Sequence, residues 1–168
     1  MALFVDGYNL AFKAGFDKKQ TETAREQVLS LLAKFKSLRS ERIVVFFDGG
    51  PEAAHLPRFQ RVSAMEIFFS DARSDADSDI KAAVSHEADP RGIRVITSDA
   101  AIRRFVERYG ATVTDSMQFL QEIAEALKES SIPSDEPIEK YEGAAGDDAD
   151  YWMRVFGDED GEAKKESE

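Results

Sequence analysis

The chain has no cysteine among its 168 residues. That excludes a disulfide framework and any thiolate metal site. Histidine is scarce as well. His55 and His86 stand alone, without partners at metal-ligand spacing and without the serine and acid of a catalytic triad. No apolar run approaches the roughly 18 residues of a membrane span. The first apolar run begins by residue 3, which leaves no room for a signal peptide. The expectation is a cytoplasmic protein without a membrane segment. It should form one domain with at most an appendage, and its 42% hydrophobic content is enough for a core.

Positive charge is short overall, with a net charge of −11. Spread evenly, that excess would argue against nucleic acid. It is not even. Residues 1–129 hold 20 acidic and 18 basic residues, whereas residues 130–168 hold 13 acidic and 4 basic ones. The body is therefore close to neutral, and the acidity belongs mainly to the tail.

What is present is a repeated design. Leu3-Phe4-Val5-Asp6-Gly7 is an apolar run ending in an acid and a glycine, with Asn9 two residues on. Ile43-Val44-Val45-Phe46-Phe47-Asp48-Gly49-Gly50 repeats it, and Ile93-Arg94-Val95-Ile96-Thr97-Ser98-Asp99 is a third such run. Runs of this kind read as strands buried on both faces of a parallel sheet. Ligands of such sheets sit beyond the carboxyl ends of the strands, where these acids lie. Gly7 is read as the residue that lets the chain turn sharply.

Between the strands the pattern is helical. Residues 10–20 read as a loop or broken turn. Thr23 and Glu26 have capping-box spacing and open a helix to about Arg39. Residues 49–62 read as a connection, and Met65 to Ser70 as a short strand. A helix over 76–88 follows, with Asp75 as charge at its N-terminus. Ser98 is expected to cap a helix over 99–109. A last strand at 111–113 precedes a helix begun by Asp115. Alternating strands and helices give an α/β class with a mainly parallel sheet of about five strands.

Asp6, Asp48, Asp77 and Asp99 come from four separate places, and the topology would gather them at one end of the sheet. Clustered carboxylates repel unless a cation or proton intervenes, and oxygen-only ligands suit Mg²⁺ or Mn²⁺. The plainer reading makes each Asp a turn or capping residue. Asn9, Ser98 and Asp79 are supporting candidates; Asp79 leans towards a solvated role. Lys13, Lys18, Lys19, Arg58 and Arg61 lie on the loops after the first two strands and would contact a nucleic-acid backbone. Phe12, Phe16 and Phe59 are available to stack on bases, although core packing is the commoner fate of phenylalanine. Arg103, Arg104 and Arg108 read as a solvated helix face.

Asp6-Gly7-Tyr8-Asn9, Phe47-Asp48-Gly49, Ala76-Asp77-Ser78-Asp79-Ile80 and Thr97-Ser98-Asp99 occur in this order. Together they resemble the motifs of the YacP-like branch of the NYN-domain proteins, within the PIN-like nuclease superfamily. The resemblance spans roughly residues 2–127. It implies a PIN-like three-layer α/β/α sandwich over residues 1–129 and a metal-dependent endoribonuclease. By position it implies Asp6, Asp77 and Asp99 as the catalytic and metal-site acids, with Asp48 and Asn9 beside them. It also implies work on ribosome-associated mRNA or other RNA processing.

Two other classes compete. One is a catalytically weak RNA- or ribosome-binding module of the same fold, which would have no need of clustered carboxylates facing a polyanion. The other is a phosphatase for small phosphate esters, but Asp6 is followed by Gly7 and Tyr8 rather than by the second acid of an Asp-x-Asp nucleophile. The segment 130–168 is expected to be a mostly disordered acidic tail. Its island at 151–156, with Tyr151, Trp152 and Phe156, would dock on a protein or ribosomal partner or pack back on its own domain.

Overall fold

The computed structural model describes residues 1–50, 53, 55–71 and 73–131. The expected tail and its island at Tyr151, Trp152 and Phe156 lie outside these residues. In chain order the elements are β1 (Ala2–Asp6), α1 (Gly7–Lys13), α2 (Thr21–Leu38), β2 (Arg42–Phe47), β3 (Phe59–Val62), β4 (Met65–Phe69), α3 (Ala76–His86), β5 (Ile93–Ile96), α4 (Ala100–Arg108), β6 (Thr112–Thr114) and α5 (Ser116–Ser131). None of the described helices is long and apolar enough to cross a membrane.

The strands form one sheet in the order β3-β4-β2-β1-β5-β6. Every pairing is parallel except that of β3 with β4. Six strands thus stand where about five were expected. The sixth, β3, falls in the stretch read as a connection. Its residues are mostly exposed, so it lacks the apolar run that betrays a buried strand.

The sheet is the middle of three layers. Leu3, Val5, Ile43, Val45, Phe47, Ile67 and Phe69 face α1, α2 and α5 through Leu10, Leu31, Phe35 and Phe119. Phe4, Val44, Phe46, Ile93 and Val95 face α3 and α4 through Ile80, Val84, Ile102 and Val106. Alternate residues of each central strand therefore feed two separate cores, which is why the strands read as continuous apolar runs.

Three local expectations change. Residues 10–13 of the expected loop are helical, because the chain enters α1 at Gly7 directly from Asp6, its N-cap residue. Gly7 is needed there for room: a Cβ would lie 2.3 Å from the Phe47 ring. The helix expected from Thr23 begins at Thr21, with Gln20 at the N-cap position and no side-chain cap. The cap of α4 is Asp99 rather than Ser98; its Oδ1 accepts from the amides of Ala101 at 2.8 Å and Ile102 at 3.1 Å. Asp75 does cap α3, accepting from the Ser78 amide at 2.7 Å.

Candidate active site

From β1 the chain moves to β2 on one side, and after β4 it returns to β5 on the other. The helices after β1 cover one face of the sheet, and α4 after β5 covers the opposite face. Neighbouring strands whose connections diverge in this way leave a crevice between their carboxyl ends. Asp6 ends β1 at this crevice, and Thr97, Ser98 and Asp99 follow β5 across it.

The β5 side is tied by hydrogen bonds. The buried Thr97 donates its Oγ1 hydrogen to Asp6 Oδ2 at 3.1 Å, and the same oxygen accepts from the Asp99 amide at 3.1 Å. Asn9 Oδ1 accepts from the Ser98 amide at 3.0 Å and from the buried Ser116 hydroxyl at 2.6 Å. The Ser116 amide in turn reaches Ser98 Oγ at 3.4 Å. One hydroxyl and one amide thereby fix the ends of β1 and β5 and the start of α5.

The other side is built on β2 and α3. Asp48 Oδ1 accepts from the Ala76 amide at 2.7 Å, joining the end of β2 to the start of α3. The Gly49 amide donates to Ser70 Oγ at 2.8 Å. A Cβ on Gly49 would lie 1.9 Å from the Ser70 carbonyl oxygen, so only glycine lets this loop sit against the end of β4. Asp77 is half-buried and pairs with Lys81 at 3.3 Å, one turn along its own helix. That approach lacks hydrogen-bond geometry: Asp77 Oδ1 is a buried oxygen with no hydrogen-bond partner.

The electrostatics mark Asp6 as the centre. Burial pushes its pKa up to about 6; the negative charges of Asp48 and Asp99 push the same way, against the Thr97 and Asn9 hydrogen bonds. Asp79 is also raised, first by burial, with Asp75 and Asp48 adding to it against Ser74 and Arg58. Asp6 therefore interacts with Asp48 and Asp99, and Asp48 with Asp79. Asp77 lies in the first turn of α3, next to Ala76, whose amide donates to Asp48.

The cations are distributed unevenly. Lys13, Lys18 and Lys19 are exposed around α1 and the turn after it. Lys13 is near enough to Asp115 to help lower its pKa, although burial there works upward and Ser98 and the Met117 and Gln118 amides do most of the lowering. Arg58 stands beside Asp71 and Asp79. Arg61, by contrast, is not on the rim of the acids. It lies within β3 opposite Glu66, two residues back from the level of Phe68, because β3 runs antiparallel. Of the three phenylalanines considered for stacking, Phe16 is buried in the core and Phe12 packs against it; Phe59 alone is 45% exposed. Thr97, Ser70 and Ser116 were not singled out from the sequence. Thr97 sits inside a quoted motif, but Ser70 and Ser116 are small polar residues that gain their meaning only from partners far away in the chain.

The model of the YacP-like NYN domain matches residues 3–149, and the chain belongs to that family. Solved structures that resemble it include two of one protein. One is Rae1 (YacP) from Bacillus subtilis, at 23% identity and a TM-score of 0.60, covering 77% of each chain. The other is a tryptophan-to-leucine mutant of the same protein, at 24% identity and a TM-score of 0.59, covering 77% of this chain and 79% of that one. At these identities the likeness shows the fold alone. Comparison with curated protein sequences gives no match.

Proposed function

We propose that the chain is an endoribonuclease that hydrolyses RNA phosphodiester bonds with a divalent cation, Mg²⁺ or Mn²⁺, and that it works in the cytoplasm on ribosome-associated mRNA or in RNA processing. The observation that carries this reading is the placement of the part-buried Asp6 at the switch point of the sheet, where desolvation and the charges of Asp48 and Asp99 push its pKa up. A fold gains nothing in stability from such crowding, so a cationic partner is the natural resolution.

The residues suit a hard divalent ion. All candidate ligands are carboxylates, and Asp77 Oδ1 is buried, makes no hydrogen bond and has only the 3.3 Å ion pair with Lys81. Among the described residues no three His, Asp or Glu side chains stand close enough together to hold a metal ion as placed. Asp6, Asp77 and Asp99 would hold the ion, with Asp48 beside them; when bound it would activate water and stabilise the charge that develops on phosphate. Thr97 holds Asp6 and the Asp99 backbone in register, and Asn9 holds the Ser98 loop to α5. Lys13, Lys18, Lys19 and Arg58 would position the RNA backbone. Tyr151, Trp152 and Phe156 are proposed as the contact to a protein or ribosomal partner.

A second reading, a weakly catalytic RNA- or ribosome-binding module, draws on one observation: Lys81 already occupies the charge of Asp77. Cleavage assays with RNA, DNA and a small phosphate ester, each titrated with Mg²⁺ and Mn²⁺, separate the readings. Metal-dependent cleavage of RNA is expected. It should fall by roughly 100-fold or more in Asp6→Asn and in Asp77→Asn. Undiminished cleavage by both variants would sink the assignment, and RNA binding without cleavage by the wild type would favour the module.

A further inference from the structure

The two helices α3 and α4 do not cover the whole of their face of the sheet. α3 is the last helix on that side, and β4 and β3 extend beyond it. Three phenylalanines from adjacent strands lie in register there. Phe59 of β3 is opposite Phe68 of β4, and Phe68 is opposite Phe46 of β2. Their ring centroids are 4.9 Å and 5.7 Å apart, and Phe4 of β1 continues the row 5.6 Å from Phe46. Between this row and α3 is a cavity of about 490 Å³, with Arg58, Asp79 and His86 among the residues that bound it.

The cavity adjoins the acids. Phe46 is the in-register partner of Asp6. Both point to the α3 face, since Phe4 does and side chains alternate along a strand. Asp79, on the cavity wall, lies within electrostatic reach of Asp48, and Arg58 acts on Asp79. An aromatic floor together with Arg58 and Asp79 on the wall lies one strand away from the proposed hydrolytic centre. A volume of this order is that of small-ligand sites. An aliphatic partner would leave the polar rim unused, whereas an unpaired base stacks on the rings and hydrogen-bonds to the rim.

We propose that this cavity is a nucleobase subsite: an unpaired base next to the scissile phosphate enters between α3 and the Phe59–Phe68 pair, and Arg58 faces its phosphate. The inference rests on the reading of the chain as an RNA hydrolase. It makes the substrate single-stranded at this position, because a paired base would not be free to leave its helix.

The test uses the full chain and a single-stranded RNA oligonucleotide cut at one bond, together with copies of it carrying one abasic residue at each position in turn. Phe59 is 45% exposed, so Phe59→Ala should leave the fold intact. Phe59→Leu keeps the apolar contact on Phe68 but removes the ring, and Phe59→Trp keeps a stacking surface. Phe59→Ala and Phe59→Leu should lower kcat/KM on the intact oligonucleotide about 5- to 100-fold. The change should appear mainly in KM, as for binding shared by ground and transition states. Phe59→Trp should stay near wild type. One abasic position beside the cut bond should impose the same loss on the wild type and no further loss on Phe59→Ala. That non-additivity would not arise from a merely structural role. Wild-type kinetics in Phe59→Ala and Phe59→Leu, or losses that simply add at every abasic position, would overturn the subsite while leaving the nuclease reading in place. If the wild type cuts no RNA at all, both fall together.

Discussion

The two flanks of the crevice are built differently. On the β5 flank, Thr97, Asn9 and Ser116 link Asp6, the Asp99 backbone and the start of α5 through hydrogen bonds of 2.6–3.1 Å. On the α3 flank, Asp48 is exposed and Asp79 partly so, and Asp77 Oδ1 is held only by its ion pair with Lys81, with no hydrogen bond. The first flank is held in place by its own hydrogen bonds. The second has carboxylate oxygens to spare. Such an asymmetry suits a site in which one acid is held in advance and the others close on an ion or a phosphate when it arrives.

The comparison can be broken at its foundations. Gly49→Ala places a methyl group 1.9 Å from the Ser70 carbonyl oxygen and must push the Asp48 loop off β4. We expect a loss of about 3 kcal/mol of stability or more, read by urea denaturation, together with loss of cleavage. An unaffected Gly49→Ala would mean that this loop is free to move and that Asp48 is not held in place.

The next effect concerns Asp6. Its pKa in the fold is raised to about 6 from 3.8. The stability this group contributes is therefore present below its unfolded pKa and lost as pH rises through about 6. On the order of 3 kcal/mol separates the two ends of that range. In EDTA, Asp6→Asn should be more stable than the wild type at pH 8, and the advantage should shrink between pH 6 and pH 4. A stability difference that does not vary with pH would show that Asp6 is not strained by its surroundings.

A smaller effect is expected at Thr97. Thr97→Val keeps the shape but removes the donor to Asp6 and the acceptor of the Asp99 amide. A cost of about 1 kcal/mol follows. Because the lost hydrogen bond favours ionised Asp6, the acid limb of the cleavage profile should move to higher pH. An unchanged limb would detach Thr97 from the chemistry.

The sheet was legible because its central strands are buried on both faces: Leu3 to Val5 and Ile43 to Phe47 feed two cores and read as unbroken apolar runs. The acids at their ends were legible for the same reason, since a charge directly after such a run must lie at its mouth. β3 was not, because Phe59 to Val62 is an exposed edge held by pairing rather than by burial. α1 was missed because Gly7 reads as a turn in the sequence, whereas the structure uses it to clear the Phe47 ring. Ser98 and Asp99 are both good caps one residue apart, and the sequence contains nothing that chooses between them. The Asn9–Ser116 and Asp6–Thr97 bonds join residues 107 and 91 positions apart. No local pattern reports on such pairs; only the closed sheet brings them together.

The central claim is that Asp6 and Asp77, on opposite flanks, serve one cation. The most direct measurement is the thermal stability of the wild type, Asp6→Asn and Asp77→Asn as Mg²⁺ or Mn²⁺ is added. A ligand that binds only the folded state raises Tm with its concentration. The wild type should show that rise, and both variants should lose most of it. An equal rise in all three proteins would contradict the account.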